Sequence, residues 1–397
     1  MTVSPQADPG TPPPDGPSTA EPSTATPSAA TSTAAPSRAA ASLADPSRAG
    51  SPAAPPAPAG LRALGPNWYA AVMGTAIIAS AGEALPLQLP RPALVAVWVL
   101  AAAMLVALLV ARAGHWARHG DQARGHLLDP AVAPFYGCLS MALLAVGGGA
   151  LALSVPGAVG LDMALWTAGT AVGLLATVAV PYLMSTRHTI EPGTADPVWL
   201  LPVVAPMVAA ALGPPLAAHL PAGQARLTML MGCYALFGMS LLATLLILPL
   251  VFSRLIHHGA LPLPMTPTLF LVLGPLGQST TALGNLADSS PGTFGAASVL
   301  YGVPVMGFAL LWLALSSAMV VRAVRRGMGF ALTWWAFTFP VGTCVTGAAA
   351  LERHTGLHAF GWLSVALYAV LVVAWLAAAV RTAGGLFSGA LLAAPPR

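Results

Sequence analysis

LFLVLGPLGQSTTALGN, residues 269–285, begins as a run fit for hydrocarbon, breaks at Gly274-Pro275 and continues as a small, polar helix. At 100° per residue from Gln278, Thr281 falls at about −60° and Asn285 at about −20°. Three hydrogen-bonding side chains therefore share one narrow stripe. Such a stripe on a membrane helix must face protein or water, because lipid offers it no partner. Two readings stay open for it: hydrogen-bonding glue between helices, or the wall of a polar path.

The rest of the chain has the composition that this segment needs. Of 397 residues, 56% are hydrophobic and 7% charged, where a soluble domain carries about 25% charged residues. The chain is read as an all-α polytopic membrane protein. All sixteen basic residues are arginine. Cys138, Cys233 and Cys344 lie inside apolar stretches without metal-ligand spacing, and read as small apolar packers. Residues 1–60 are Pro, Ala, Ser and Thr with no aromatic residue, so a disordered tail is expected there, without the apolar core of a signal peptide. Residues 61–385 form the transmembrane domain, and 386–397 a short C-terminal tail.

Ten apolar segments follow, at 66–84, 91–113, 130–154, 160–183, 197–219, 225–252, 265–287, 293–320, 328–351 and 357–381. Each is long enough to cross a hydrocarbon core of about 30 Å. With the amino terminus in the cytoplasm, thirteen arginines fall on the inner side, and Arg91, Arg226 and Arg353 alone fall outside. That bias matches ten spans in a cell membrane with both termini cytoplasmic. Even-numbered segments are plain and greasy. Four of the odd-numbered ones carry proline: Pro134, Pro202 with Pro206, Pro275, and Pro340. Proline removes a hydrogen bond and frees a carbonyl, so these positions are expected to kink. The arrangement that follows is five helical hairpins, with kinked inner helices around a central pore and smooth helices outside.

Asp129-Pro130 and Asp196-Pro197 open the third and fifth segments as N-cap and N1 pairs, and capping accounts for both aspartates. No acidic or arginine side chain falls near the middle of a span, and every histidine lies near a helix end or in a loop. No P-loop, HExxH, GxSxG or haem-ligand pair occurs, so no cofactor, metal or catalytic residue is expected. A path without fixed charge suits weak binding and fast passage. In TWWAFTFPVGTCVTGAAA (333–350), counted from Phe339, Gly342 falls at about −60°, Thr343 at +40° and Thr346 at −20°. Phe339 thus shares a small, polar stripe, and its ring reads either as a stopper in a narrow path or as ordinary interhelical packing.

These stretches resemble the tellurite-resistance/dicarboxylate transporter family. That family takes in yeast malate permeases, fungal sulfite exporters, a bacterial channel homologue and the slow anion channels of plant guard cells. The matching residues are GPNWYAAVMGTAI (65–77), DPAVAPFYG (129–137), RHTIEPGTADPVWLLPVVAP (187–206), LGPLGQS (273–279) and WWAFTFPVGT (334–343). The resemblance covers residues 62–385. It implies ten helices in five hairpins, a pore along the odd-numbered helices, often a homotrimer, and a pore-occluding phenylalanine, placed at Phe339. The expected function is transport of small anions, foremost four-carbon dicarboxylates such as malate, with Gln278, Thr281, Asn285, Gly342, Thr343 and Thr346 along the pore. Sulfite efflux is the alternative, and a non-conducting membrane sensor or scaffold the alternative of another class. Small anions and the lipid bilayer are the expected partners, and nucleic acid is not.

Overall fold

The computed structural model describes residues 64–389 and 391, in which every regular element is a helix. The tail expected over 1–60, and most of the one expected over 386–397, lie outside the described residues. Five α-helices are short: α1 (Tyr69–Glu83), α4 (Tyr136–Ala152), α6 (Leu200–Ala217), α8 (Leu273–Ser289) and α10 (Phe339–Thr355). Five are long: α2 (Arg91–Arg118), α5 (Ala158–Thr186), α7 (Gln224–His258), α9 (Pro291–Arg325) and α11 (His358–Phe387). A nine-residue helix, α3 (Gly120–Leu128), joins α2 to α4.

Burial separates the two kinds. In the most apolar window of Pro197–Ala217, 89% of residues are buried, against 17% in α2 and 22% in α5. The long helices bury a single line. On α9 it runs through Phe294, Ser298, Gly302, Met306, Ala309, Trp312 and Ser316, at the three- and four-residue spacing of one helical face. Away from that line, Leu300, Val303, Phe308, Leu311, Leu315 and Val321 of α9 are exposed to the surroundings. The short helices pack in a closed circuit, α1 on α4, α4 on α6, α6 on α8, α8 on α10 and α10 back on α1. Each short helix also packs on the long helix that follows it.

Among the described residues, seven helices are long and apolar enough to cross a membrane: α2, α5, α7, α9, α11, and α4 and α6 with their leading 3-10 turns. The other three expected spans are shorter as α-helices. α1, α8 and α10 have 15, 17 and 17 residues. At 1.5 Å per residue they reach about 22–26 Å, less than a hydrocarbon core of about 30 Å. Stretches of 3-10 helix lead into them, three residues long at Pro66–Trp68, ten at Leu263–Val272 and six at Leu332–Phe337.

Those leading turns relocate the prolines. Pro134 lies in the 3-10 turn Ala133–Phe135, while Pro202, Pro275 and Pro340 lie in the first turn of α6, α8 and α10. An N–H there has no intrahelical partner to lose. These four mark the start of an α-helix, not a kink within one. Of the five expected kink positions, only Pro206 lies past the first turn of an α-helix, and Pro214 and Pro215 follow it along α6. The long helices are less plain than their composition implies, since Pro181, Pro249 and Pro304 lie inside α5, α7 and α9.

The carbonyls that these prolines free find named donors. Pro206 leaves the Pro202 oxygen without its i+4 donor, and Thr177 of α5 donates to it at 2.7 Å. Pro215 does the same to Ala211, whose oxygen accepts from Asn285 Nδ2 of α8 at 2.8 Å. Buried backbone acceptors are thus paired across helices, as an apolar surround demands. Asp196 behaves as the expected cap, its Oδ1 accepting from the Val198 N–H at 3.1 Å, whereas Asp129 follows α3 and its Oδ1 accepts from the Ala131 N–H at 2.9 Å in a turn ahead of Ala133–Phe135, whose N-cap is Val132.

Arg112, 6% exposed near the end of α2, clamps the leading ends of the first spans. It donates to the Leu64 carbonyl at 2.6 Å and to the Tyr136 hydroxyl at 2.6 Å. His126 of α3 lies beside it, 3.4 Å from its guanidinium, with its ring stacked on His115 at 5.6 Å. Burial lowers the His126 pKa below its ordinary value, Arg112 and His115 lower it further, and Asp129 opposes them. A histidine whose folded pKa is depressed favours the neutral form. The docking of α3 is therefore strongest above the ordinary pKa of about 6.5 and weakens as pH falls below it. Deuterium exchange over residues 120–128, corrected for intrinsic rates, should quicken between pH 7.5 and 5.5. The His126→Gln variant should lose that dependence, and equal protection at both pH values would refute the clamp's sensitivity.

Candidate functional site

The circuit of short helices encloses a cavity of about 560 Å³. One face of each helix contributes: Ile77 and Ser80 from α1, Ala145 and Gly148 from α4, Val208 and Leu212 from α6, Gln278, Thr281 and Asn285 from α8, and Phe339, Thr346 and Arg353 from α10. The wide end lies at the C-terminal ends of these helices, where residues 154–160 and His219 complete the rim. The lining carries one arginine, one histidine and no carboxylate.

The narrow end is Phe339, 2% exposed. Beyond it lies an apolar void of about 10 Å³, walled by Met73, Met141, Leu200, Leu201, Val204, Leu271, Gly274 and Pro340, with Phe339 as its remaining wall. A void of that size holds one water at most. Phe339 therefore borders both spaces and separates them. The polar path read from the sequence reaches only this far. The other half of the circuit is a closed collar of methionine and leucine.

Gln278 is 3% exposed, and its Oε1 has no hydrogen-bond partner. Thr281 Oγ1 lies 2.8 Å from Thr346 Oγ1, a hydroxyl pair that joins α8 to α10 across the wall. Asn285 Nδ2 is committed to the Ala211 carbonyl, which turns its Oδ1 toward Arg353 Nη2 at 3.3 Å. This polar stripe is both glue and wall. Two expected residues sit elsewhere. Gly342 faces α1 so closely that a Cβ would strike the Ile77 side chain. Thr343 is fully buried against α8, its hydroxyl 2.7 Å from the Pro340 carbonyl and 3.3 Å from that of Leu273. Both flank the line that faces the cavity, and 40–60° off it is enough to meet a neighbouring helix instead.

Arg353 was passed over because hydropathy places it at the end of its segment. Yet Phe339, Thr346 and Arg353 are spaced by seven, which puts them within about 40° on one helix. The collar residues carry no sequence signal, since Met and Leu are what any apolar segment contains. Asp162 was also missed. It is fully buried on α5, where it packs against Gly147 of α4, behind the cavity wall and not in it.

A mostly apolar cavity that carries one arginine, no carboxylate and a few neutral polar groups, held in a scaffold of long apolar helices, fits a membrane transporter or channel for small anions. Comparison with known proteins gives the same class. The model of the SLAC1 voltage-dependent anion channel family matches residues 63–383. A sulfite efflux pump of Trichophyton rubrum is 28% identical over 331 residues, 78% of this chain and 88% of the pump. An uncharacterized transporter of Methanocaldococcus jannaschii is 26% identical over 332 residues, 82% of this chain and 94% of that protein. A malic acid transport protein of Schizosaccharomyces pombe is 24% identical over 223 residues, about half of each chain. The chain belongs to the SLAC1 voltage-dependent anion channel family.

Proposed function

We propose that the chain passes small anions through the cavity ringed by α1, α4, α6, α8 and α10, with the Phe339 ring as its stopper. The observation that carries this reading is a cavity without a carboxylate, to which all five short helices contribute, ending on one buried phenylalanine. Without a carboxylate, nothing in the lining repels an anion, and Arg353 attracts it at the wide end. The hydroxyls of Thr281 and Thr346 and the amide of Gln278 solvate it without trapping it. Five crossings by short helices, each backed by a long one, would make ten spans in five hairpins. The closed circuit and the pairing of each short helix with its successor support that count. The arginine distribution supports cytoplasmic termini in a cell membrane. The homotrimer rests on the family resemblance, and native mass spectrometry of the detergent-extracted protein tests it.

The sulfite pump and the malic acid transport protein among the relatives put sulfite beside malate as candidate cargo. Gln278 Oε1 is a buried acceptor without a donor, which favours an anion that also bears an O–H. Hydrogensulfite and malate both qualify. Protein in liposomes, tested with malate, sulfite, chloride and a cation control, decides the matter. Flux of any of these anions without cation flux supports the proposal. Sealed vesicles, even with Phe339→Ala, would return the chain to a non-conducting scaffold. Gln278→Leu together with Asn285→Leu should cut flux at least about tenfold, the effect of removing about 1.4 kcal/mol of solvation from the path. An unchanged rate and anion order would reduce both residues to packing.

A further inference from the structure

The wide end of the cavity is not a plain mouth. A second cavity of about 400 Å³, with Arg226, Asp288 and Ser289 in its wall, shares Pro215 and Asn285 with the first. Arg353 lines the first cavity, and its Nη2 lies 2.9 Å from Asp288 Oδ2, in the wall of the second. His354 Nε2 lies 3.1 Å from the other oxygen, Asp288 Oδ1. One carboxylate thus holds two basic side chains at the junction of two cavities, and half of the pair is open to solvent, at 44% exposure for both Arg353 and Asp288. An exposed ion pair is weak, so its guanidinium can change partners at little cost. Asn285 keeps that guanidinium at the cavity wall whichever anion it faces, because the Ala211 carbonyl fixes the amide with its oxygen toward Arg353.

We propose that Arg353 is an anion-recognition station at the cavity's wide end, and that Asp288 is its built-in competitor, which an incoming oxyanion displaces. The proposal deepens the transport reading above and rests on it. The permeant it fits is a small oxyanion, carboxylate or sulfite, able to take the N–H of Arg353 Nη2 that Asp288 releases.

The experiment is a saturation curve of malate and sulfite flux into liposomes for wild type and three variants. Asp288→Asn frees Arg353 and should lower the half-saturating anion concentration about threefold. Arg353→Gln should raise it by a similar factor, and Arg353→Lys, which keeps the charge but not the guanidinium geometry, should raise it by less. The exchange Arg353→Asp with Asp288→Arg keeps the ion pair but turns a carboxylate to the cavity, and should raise it further than Arg353→Gln alone. Impermeant salt should shrink all of these shifts. A pair with only a structural role predicts otherwise: both single variants change in the same direction and the exchange restores wild type. That result, or shifts within error in variants that keep the wild-type melting profile, overturns the station. Vesicles that pass no anion with wild type or Phe339→Ala overturn the transport reading itself, and the station with it.

Discussion

Phe339→Ala raises anion flux at least about tenfold, which amounts to about 1.4 kcal/mol off the barrier. The ring is the partition between a cavity of about 560 Å³ and a void of about 10 Å³. On the function proposed above, an anion that crosses this plane would shed its water against carbon, and that desolvation would be the barrier. Without the ring, the two spaces merge and water can follow the ion. What remains is the collar, of which Met73 and Met141 are unbranched and able to change rotamer. Phe339→Leu should give a smaller rise and Phe339→Trp none. Phe337 supplies the control, since its ring packs on Phe270 at 4.9 Å and on Trp334 at 5.9 Å, away from the cavity. Phe337→Ala should leave the conductance near its wild-type level. Equal flux from both alanine variants would show a general loosening and would remove Phe339 from the mechanism.

Gly277→Ala should be strongly damaging for so small a substitution. A Cβ there would lie 2.5 Å from the Cys344 nitrogen and 2.5 Å from the Thr343 carbonyl carbon. Both are backbone atoms of α10, so neither can rotate aside. Alanine is ordinarily better than glycine in a helix by about 1 kcal/mol, but overpacking against a rigid neighbour costs about 1–3 kcal/mol. The clash outweighs the propensity, and α8 must move off α10. That movement strains the Thr343 bond to Leu273 and the Thr281–Thr346 pair. The variant should melt lower by roughly 5 °C and lose its flux. Three residues earlier, a Cβ at Gly274 would meet nothing within 4 Å, and Gly274→Ala should be neutral or better. A thermal-melt comparison of the two in detergent checks the pair, and equal stabilities would show that the close approach is not required.

Much of this fold was legible in the chain because lipid is a demanding solvent. Ten apolar runs, a stripe of Gln278, Thr281 and Asn285, and the seven-residue step from Phe339 to Thr346 follow from periodicity and hydropathy alone. The kinks were misplaced for a physical reason. Proline marks either a break or a first turn, and only backbone geometry shows that Pro275 and Pro340 lie at the start of α8 and α10. Gly342 and Thr343 were misread because a helical wheel resolves a face and not a line. Small residues beside a lining stripe make the close contacts that hold it in place. The Met and Leu collar, and the sharing of Asp288 between Arg353 and His354, depend on distances between segments far apart in the chain, 65 residues in the case of Arg353 and Asp288. No local pattern encodes them.

Phe339, Thr346 and Arg353 lie on one line along α10, and Thr281 ties the middle of that line to α8. Torque on α10 therefore swings the benzyl group at one end and the guanidinium at the other in the same sense. On the function proposed above, the helix would act as a camshaft: whatever turns it would alter occupancy at the rim and bore at the waist in a single stroke, with no relay of intermediate residues between them.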